Sequence, residues 1–216
     1  MDRDQDVDLD SSLIEPGHFG NSTDHIVVIK DFVEPFDLAR VQLLVEDITE
    51  WHNPSPDIFN DEGICIYDAS YWWDRVCNTA LLRDNYLELH DLVDKYNMKL
   101  KDIIEQKFGY KVYMRPPVVV RWLPGNAQSP HADKQLNDGT PNPFPSYDIN
   151  SIIYWNDDFE GGQFYYQDHD ICLEIEAGMA VAHPGDVHYL HGVKEITSGV
   201  RWTSPAFTTI TDLGDN

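Results

Sequence analysis

Basic residues are scarce in this chain. Fifteen Lys and Arg stand against 38 Asp and Glu, a formal net charge of −23. A surface of that sign repels phosphate backbones and anionic lipids, which disfavours nucleic acid as a main partner and leaves room only for a local basic groove. Cysteine is also rare. Cys65, Cys77 and Cys172 are odd in number, widely spaced and without a CxxC pair. That excludes a disulfide framework and a zinc-finger-like site, and reads as reduced thiols of a cytoplasmic protein. No apolar run approaches the roughly 20 residues that span a bilayer, so no membrane partner is expected. A secretory leader is not expected either, because the chain opens on Asp2, Asp4, Asp6, Asp8 and Asp10 around Arg3, with no basic start and no apolar stretch.

What is present suits one globular domain. The 216 residues are 42% hydrophobic, enough for a single sizeable core. Residues 1–20 are expected to be an acidic, disordered tail, and residues 21–216 one domain. There is no internal repeat. Residues 25–30 (HIVVIK) read as a strand. Residues 35–50 carry Phe36, Leu38, Val41, Leu44, Val45 and Ile48 at helical spacing, with Pro35 suited to the first turn. Residues 51–76 hold Pro54, Pro56 and Gly63 among aromatics and read as irregular. One helix or two covers roughly residues 79–107, with a stripe of Leu82, Tyr86, Leu89, Val93, Tyr96, Leu100, Ile103 and Ile104 and a stop at Gly109.

From residue 110 the pattern changes to short β-rich runs between Gly, Pro, Asn and Asp breaks. The runs are 111–114, 118–122, 149–155, 163–167, 171–175, 179–182, 188–193 and 200–207. Eight such strands predict an antiparallel barrel or jelly roll. The fold class is therefore α+β, mainly β, with N-terminal helices buttressing one sheet.

Nine histidines occur, and only His131 is followed two places later by an acid, Asp133. On an extended backbone those two side chains share a face and can meet one cation. A third ligand from a distant strand would complete a two-histidine, one-carboxylate face and leave the rest of an octahedral ion open, as non-haem Fe(II) chemistry with oxygen requires. Alone, such a pair also occurs as a surface contact. Candidates for the third ligand are His169, His183, His188 and His191. His188 and His191, three apart, would face opposite ways on one strand. Ten residues after His191 stands Arg201, whose fork can hold a carboxylate through two parallel charge-assisted bonds. By itself, Arg201 reads equally as a surface or ion-paired arginine.

Together these positions resemble the 2-oxoglutarate/Fe(II) dioxygenase superfamily, and within it the prolyl 4-hydroxylase-like group, over about residues 25–208. His131, Asp133 and His191 match the motif HxD…H, and Arg201 matches the basic residue that follows. Residues 121–125 (RWLPG) resemble the family's R-Y-x-P-G run. Residues 152–163 (IIYWNDDFEGGQ) are similar to Y-L-N-D…E-G-G-E, and His191-Gly192-Val193 with residues 197–201 (TSGVR) to H-x-V…G-x-R. The resemblance implies a double-stranded β-helix, a jelly roll with helices on one side. It implies Fe(II), with 2-oxoglutarate and O2 as cosubstrates and ascorbate as a stimulant. It implies metal ligation by His131, Asp133 and His191, and cosubstrate held by Arg201 and Tyr154.

Two departures stand out. Trp122 replaces the family's frequent tyrosine, so that contact is either lost or supplied by the indole N–H. Arg201 replaces the lysine of collagen-type members, as in oxygen-sensing and many microbial members. The chain resembles a single catalytic domain of the microbial or phage kind, cytoplasmic in a host cell if phage-encoded. The implied activity is hydroxylation of prolyl residues in a peptide or protein, coupled to conversion of 2-oxoglutarate to succinate and CO2. A dioxygenase acting on a free amino acid, a small molecule or alkylated nucleic acid is the alternative, and a non-enzymatic jelly-roll binding module is the alternative of another class. Arg115, Arg121 and Lys134 are few for gripping nucleic acid. Residues 137–146 (NDGTPNPFPS) form either a lid or a passive loop. Trp72, Trp73, Trp155, Tyr165 and Tyr166 are either groove or core aromatics.

Overall fold

The structure is a computed structural model that describes residues 13–52 and 55–212. Its helices follow the sequence periodicity. α1 (Pro35–Glu46) starts with proline at its first turn, where the missing N–H would have no partner in any case. α2 (Thr79–Asn85) is capped by the Asn78 side chain, which accepts from the amides of Ala80 and Leu81. The chain breaks at Tyr86, whose backbone is not helical, and restarts as α3 (Leu87–Phe108). Gly109 ends α3 at φ 78°, a left-handed position that glycine adopts without a Cβ clash.

The strands are β1 (Val27–Ile29), β2 (Ile58–Phe59), β3 (Cys65–Tyr67), β4 (Val76–Cys77), β5 (Tyr113–Met114), β6 (Val119–Trp122), β7 (Gln128–His131), β8 (Ile149–Tyr154), β9 (Glu160–Gly161), β10 (Phe164–Tyr166), β11 (Ile171–Leu173), β12 (Ala180–Pro184), β13 (His191–Val193), β14 (Ile196–Ser198) and β15 (Arg201–Thr209). The major sheet runs β1-β12-β8-β15-β6-β4, with β5 also on β15; the minor sheet runs β11-β10-β13-β7. Their strand pairs are antiparallel. This is the double-stranded β-helix that the sequence implied.

Side-chain alternation divides the core in two. Along β8, Ile149 and Ile153 join the helix-side cluster with Val93, Tyr96, Leu100 and Ile104, while Tyr154 joins Trp122, Phe164, Tyr166 and Val181 between the sheets. The period of two is what places helices on one face and a cleft on the other. Each fully buried aliphatic side chain of α3 contributes roughly 1.5–3 kcal/mol to holding it there.

Four expectations are corrected. Residues 1–12 of the expected tail lie outside the described residues, but 13–20 are part of the domain. Ile14 is buried, and its amide donates to Asp148 at 3.0 Å. Leu13 and Ile14 are adjacent in a short run (SSLIEPGHFG) with no helical or strand period, so the docking has no local signal. The region 51–76 is not wholly irregular, since it holds the β2–β3 hairpin, a 3-10 turn over Ala69–Trp72 and strand β4. Among residues 188–193 the first half is a 3-10 turn, Val187–Tyr189, and only His191–Val193 is strand. β7 is absent from the expected strands, because Gln128-Ser129-Pro130-His131 has no β-branched residue.

Candidate active site

The cleft between the sheets brings together His131, Asp133, His191 and Arg201. His131 ends β7 and is the register partner of His191 on β13. Asp133 does not share an extended strand with His131. It sits in the bend after β7, where its amide donates to Gly185 O at 2.9 Å. His131 Nε2 lies 3.6 Å from Asp133 Oδ1, and His191 Nε2 lies 3.7 Å from Asp133 Oδ2. One ligand atom from each residue falls within 4.8 Å of the other two, the one such three-residue cluster among the described residues. Each histidine Nδ1 faces a backbone carbonyl at 3.0 Å, Ser129 O for His131 and Tyr189 O for His191. A proton held there leaves the Nε2 lone pair for a cation. Gln128 Nε2 stands 3.2 Å from His131 Nε2, at the lone pair a metal would take.

The electrostatics suit a cation site. Burial pushes the His191 pKa well below its ordinary value. Burial also pushes His131 down, but the Asp133 carboxylate outweighs it and the net shift is upward. For Asp133 burial acts to raise the pKa; the charge of His191 and the bond to His131 prevail and hold it well below the usual carboxylate range. Asp133 is therefore an anion beside two imidazoles.

Arg201 lies at the inner end of the same cleft, 1% exposed. It pairs in register with Trp122 across β15 and β6. Its guanidinium carbon stands 5.0 Å from the ring centres of both Trp122 and Tyr154. Its Nε and Nη2 are buried without a hydrogen-bond partner, and so is the Tyr154 hydroxyl. Burial lifts the Tyr154 pKa to about 12, so that hydroxyl is a neutral donor. An unpaired buried cation costs several kcal/mol unless an anion joins it, so these orphaned donors fit a small carboxylate ligand. Two glycines of the EGG run let the neighbouring segments pack closely beside Arg201. A Cβ on Gly161 would stand 2.0 Å from Glu195 O, and one on Gly162 would press on the Arg201 side chain at 3.2 Å.

The other expected residues divide. The Trp122 indole N–H donates to Thr203 Oγ1 at 3.2 Å, so it is engaged with the protein and its ring serves as a wall beside Arg201. Trp72 lines the cleft. Trp73 is exposed and donates to His52, while Trp155 is a core residue bonded to Ser204. Tyr166 is buried and Tyr165 half-buried over Gly192. His183 lies in the cleft, with its ring 4.4 Å from that of His191 and its Nδ1 2.9 Å from Pro184 O. His188 points elsewhere, against Asp186 and Gly17. Residues 137–146 are tied to the segment that carries His131 and Asp133, by Asn137 Nδ2 to Pro130 O and Asn142 Nδ2 to Asp133 O, both at 2.7 Å. Asn150 is a site residue that the sequence reading did not single out. It sits at alternate spacing with Ile152 and Tyr154 on the inner face of β8, a signal that period two alone contains.

No protein-family model and no curated protein matches the sequence. Solved structures do. A prolyl hydroxylase from Trichoplax adhaerens, in complex with a hypoxia inducible factor peptide fragment, matches with TM-score 0.63 and 13% identity over 90% of this chain and 89% of that one. A viral collagen prolyl hydroxylase from Paramecium bursaria Chlorella virus-1 matches at 0.56 and 13%, over 86% and 95%. A 2OG-Fe(II) oxygenase family oxidoreductase from Burkholderia pseudomallei matches at 0.56 and 16%, over 87% and 86%. The fold is thus the one that 2-oxoglutarate/Fe(II) oxygenases, prolyl hydroxylases among them, are built on.

Proposed function

We propose that this chain is an Fe(II)- and 2-oxoglutarate-dependent dioxygenase that hydroxylates prolyl residues in a peptide or protein. The observation that carries the oxygenase reading is the pairing, in one cleft, of the His131/Asp133/His191 cluster with the buried Arg201 guanidinium, whose Nε and Nη2 have no hydrogen-bond partner. Two histidines and one carboxylate on one side of an ion leave positions open, the arrangement that favours Fe(II) with oxygen chemistry. Arg201, with the Tyr154 hydroxyl, would hold the far carboxylate of 2-oxoglutarate by charge-assisted bonds. Trp122 would contribute a flat wall rather than a hydrogen bond. When bound, iron and 2-oxoglutarate supply, with O2, the oxidising power for hydroxylating an unactivated C–H bond. The protein's own part is to hold the ligands and to place the target bond among the cleft's aromatic walls.

The peptide reading rests on the motif resemblance and on charge. At −23 the surface repels polyanions and favours neutral or basic chains. Lys134, one of three basic residues near the site in sequence, is locked onto Asp148 at 2.6 Å and is not free to meet phosphate. The fold is shared with a prolyl hydroxylase that holds a peptide fragment. Proline-rich segments are pre-extended, so ordering one in a groove costs less entropy. The test is incubation with Fe(II), 2-oxoglutarate and a panel of proline-containing peptides under air. Expected is a gain of one oxygen on a prolyl ring with stoichiometric succinate. Oxidation of a free amino acid or a methylated oligonucleotide, with the peptides untouched, would overturn the prolyl reading and leave the dioxygenase reading standing.

A further inference from the structure

Asp133 is held at three of its polar atoms. Its amide donates to Gly185 O at 2.9 Å, its carbonyl accepts from Asn142 Nδ2 at 2.7 Å, and its Oδ2 accepts from Asn150 Nδ2 at 2.8 Å. The orientation of the Asn150 amide follows from chemistry. Its Nδ2 faces two acceptors, Asp133 Oδ2 and Tyr147 O at 3.3 Å, and only an NH2 group suits both. Asn150 Oδ1 must therefore point away from Asp133; it is buried without a partner. The residue is 2% exposed and lies on the cleft wall. Gly185 makes the arrangement possible, because a Cβ there would stand 2.7 Å from Asn150 Nδ2.

We propose that Asn150 is a positioning residue for the metal centre, occupying Asp133 Oδ2 so that the carboxylate offers the metal one oxygen, Oδ1. The inference rests on the metal-centre reading above. A carboxylate free at both oxygens can rotate or chelate through both, and either would use a position that the cosubstrate and oxygen need. A neutral NH2 donor holds the carboxylate without neutralising it. A lysine in its place would compete with the cation, and the shorter serine or threonine hydroxyl would not span the distance.

The test uses Co(II) as the probe, with the full chain and the Asn150→Leu and Asn150→Ala variants. Titration calorimetry reads affinity. Infrared difference spectra of metal-loaded minus metal-free protein, with 13C-labelled aspartate, read the splitting of the Asp133 carboxylate stretches. Expected for the unaltered protein is the wide splitting of one-oxygen ligation. Expected for each variant is a narrower splitting and Co(II) binding weakened by about 10–100-fold, the usual size of an outer-shell loss. Circular dichroism confirms folding, and if neither variant folds the spectrum of the unaltered protein decides. Two-oxygen chelation in the unaltered protein, or folded variants with unchanged splitting and affinity, overturns the role of Asn150 while the metal centre stands. A protein that takes up no Co(II) at all overturns both readings.

Discussion

His131 and His191 are cross-strand register partners, sixty positions apart in sequence, with ring centroids 4.4 Å apart. Each turns its Nδ1 to the carbonyl two residues before it, Ser129 O and Tyr189 O. The two rings are thus fixed by the same local device, and both present Nε2 to the space beside Asp133.

That pairing sets the first prediction. His131→Ala, Asp133→Ala and His191→Ala should each abolish turnover and release iron on gel filtration. His183→Ala and His188→Ala should retain it, measured by metal content per chain. Should His188→Ala lose the metal while His191→Ala keeps it, the ligand assignment is wrong.

The second prediction concerns the unpaired guanidinium. Arg201→Ala should weaken 2-oxoglutarate binding by on the order of 2–5 kcal/mol, since a desolvated carboxylate loses its charge partner. Arg201→Lys should restore only part, because the two-pronged fork is gone. Tyr154→Phe removes one neutral donor and should cost about 0.5–1.5 kcal/mol. Calorimetry on the metal-loaded protein measures all three, and an unaltered affinity in Arg201→Ala removes this residue from the cosubstrate site.

A third prediction is about stability. Lys134 (4% exposed) and Asp148 (2%) form a buried ion pair, and Lys134 Nζ also donates to Ile14 O at 2.6 Å. Asp148 Oδ2 accepts the Ile210 amide at 3.1 Å. Removing one partner strands the other charge, so Lys134→Met or Asp148→Asn should destabilise by roughly 3–5 kcal/mol. The double change Lys134→Met with Asp148→Asn should cost less than the two singles summed. Urea unfolding checks this; strictly additive losses would show that the pair is not coupled.

Thiol accessibility gives a fourth. Cys65 and Cys172 are exposed, whereas Cys77 is buried and its pKa is pushed up to about 12 by that burial. The thiolate is the reactive form, so an aromatic disulfide reagent should titrate two thiols in the native protein and three in urea. Three fast-reacting thiols without denaturant would contradict the packing around β4.

Much of this molecule is legible in the order of its residues. The HxD…H…R positions are legible through the resemblance to a known family's motif, while the α3 stripe, the stop at Gly109 and most strands are local patterns. They follow from side-chain periods of 3.6 and two and from glycine's freedom at positive φ. Other features have no local signal. Nothing in Gln128-Ser129-Pro130-His131 marks a strand, because its pairing to β13 is what makes it one. The expectation that His131 and Asp133 share an extended face fails for the same reason, since the Gly185 carbonyl bends the chain after β7.

The sequence by itself determined the periodic elements, the kinds of ligand on offer and the sign of the surface charge, all properties of near neighbours or of composition. Only the tertiary structure decided among chemically equal groups. Residue spacing alone left His183 and His191 equal, and both enter the cleft, but it is His191, the residue the resemblance pointed to, that stands with His131 and Asp133 in the ligand cluster. Trp122 could have offered its N–H to a ligand, and Thr203 takes it. Ile14 reads as part of a free tail, yet Lys134 and Asp148 close on its backbone. Such choices depend on which atoms meet across long stretches of chain. Hydrogen bonds and ion pairs act over a few ångströms, so no spacing along the sequence can specify them until the sheets have closed.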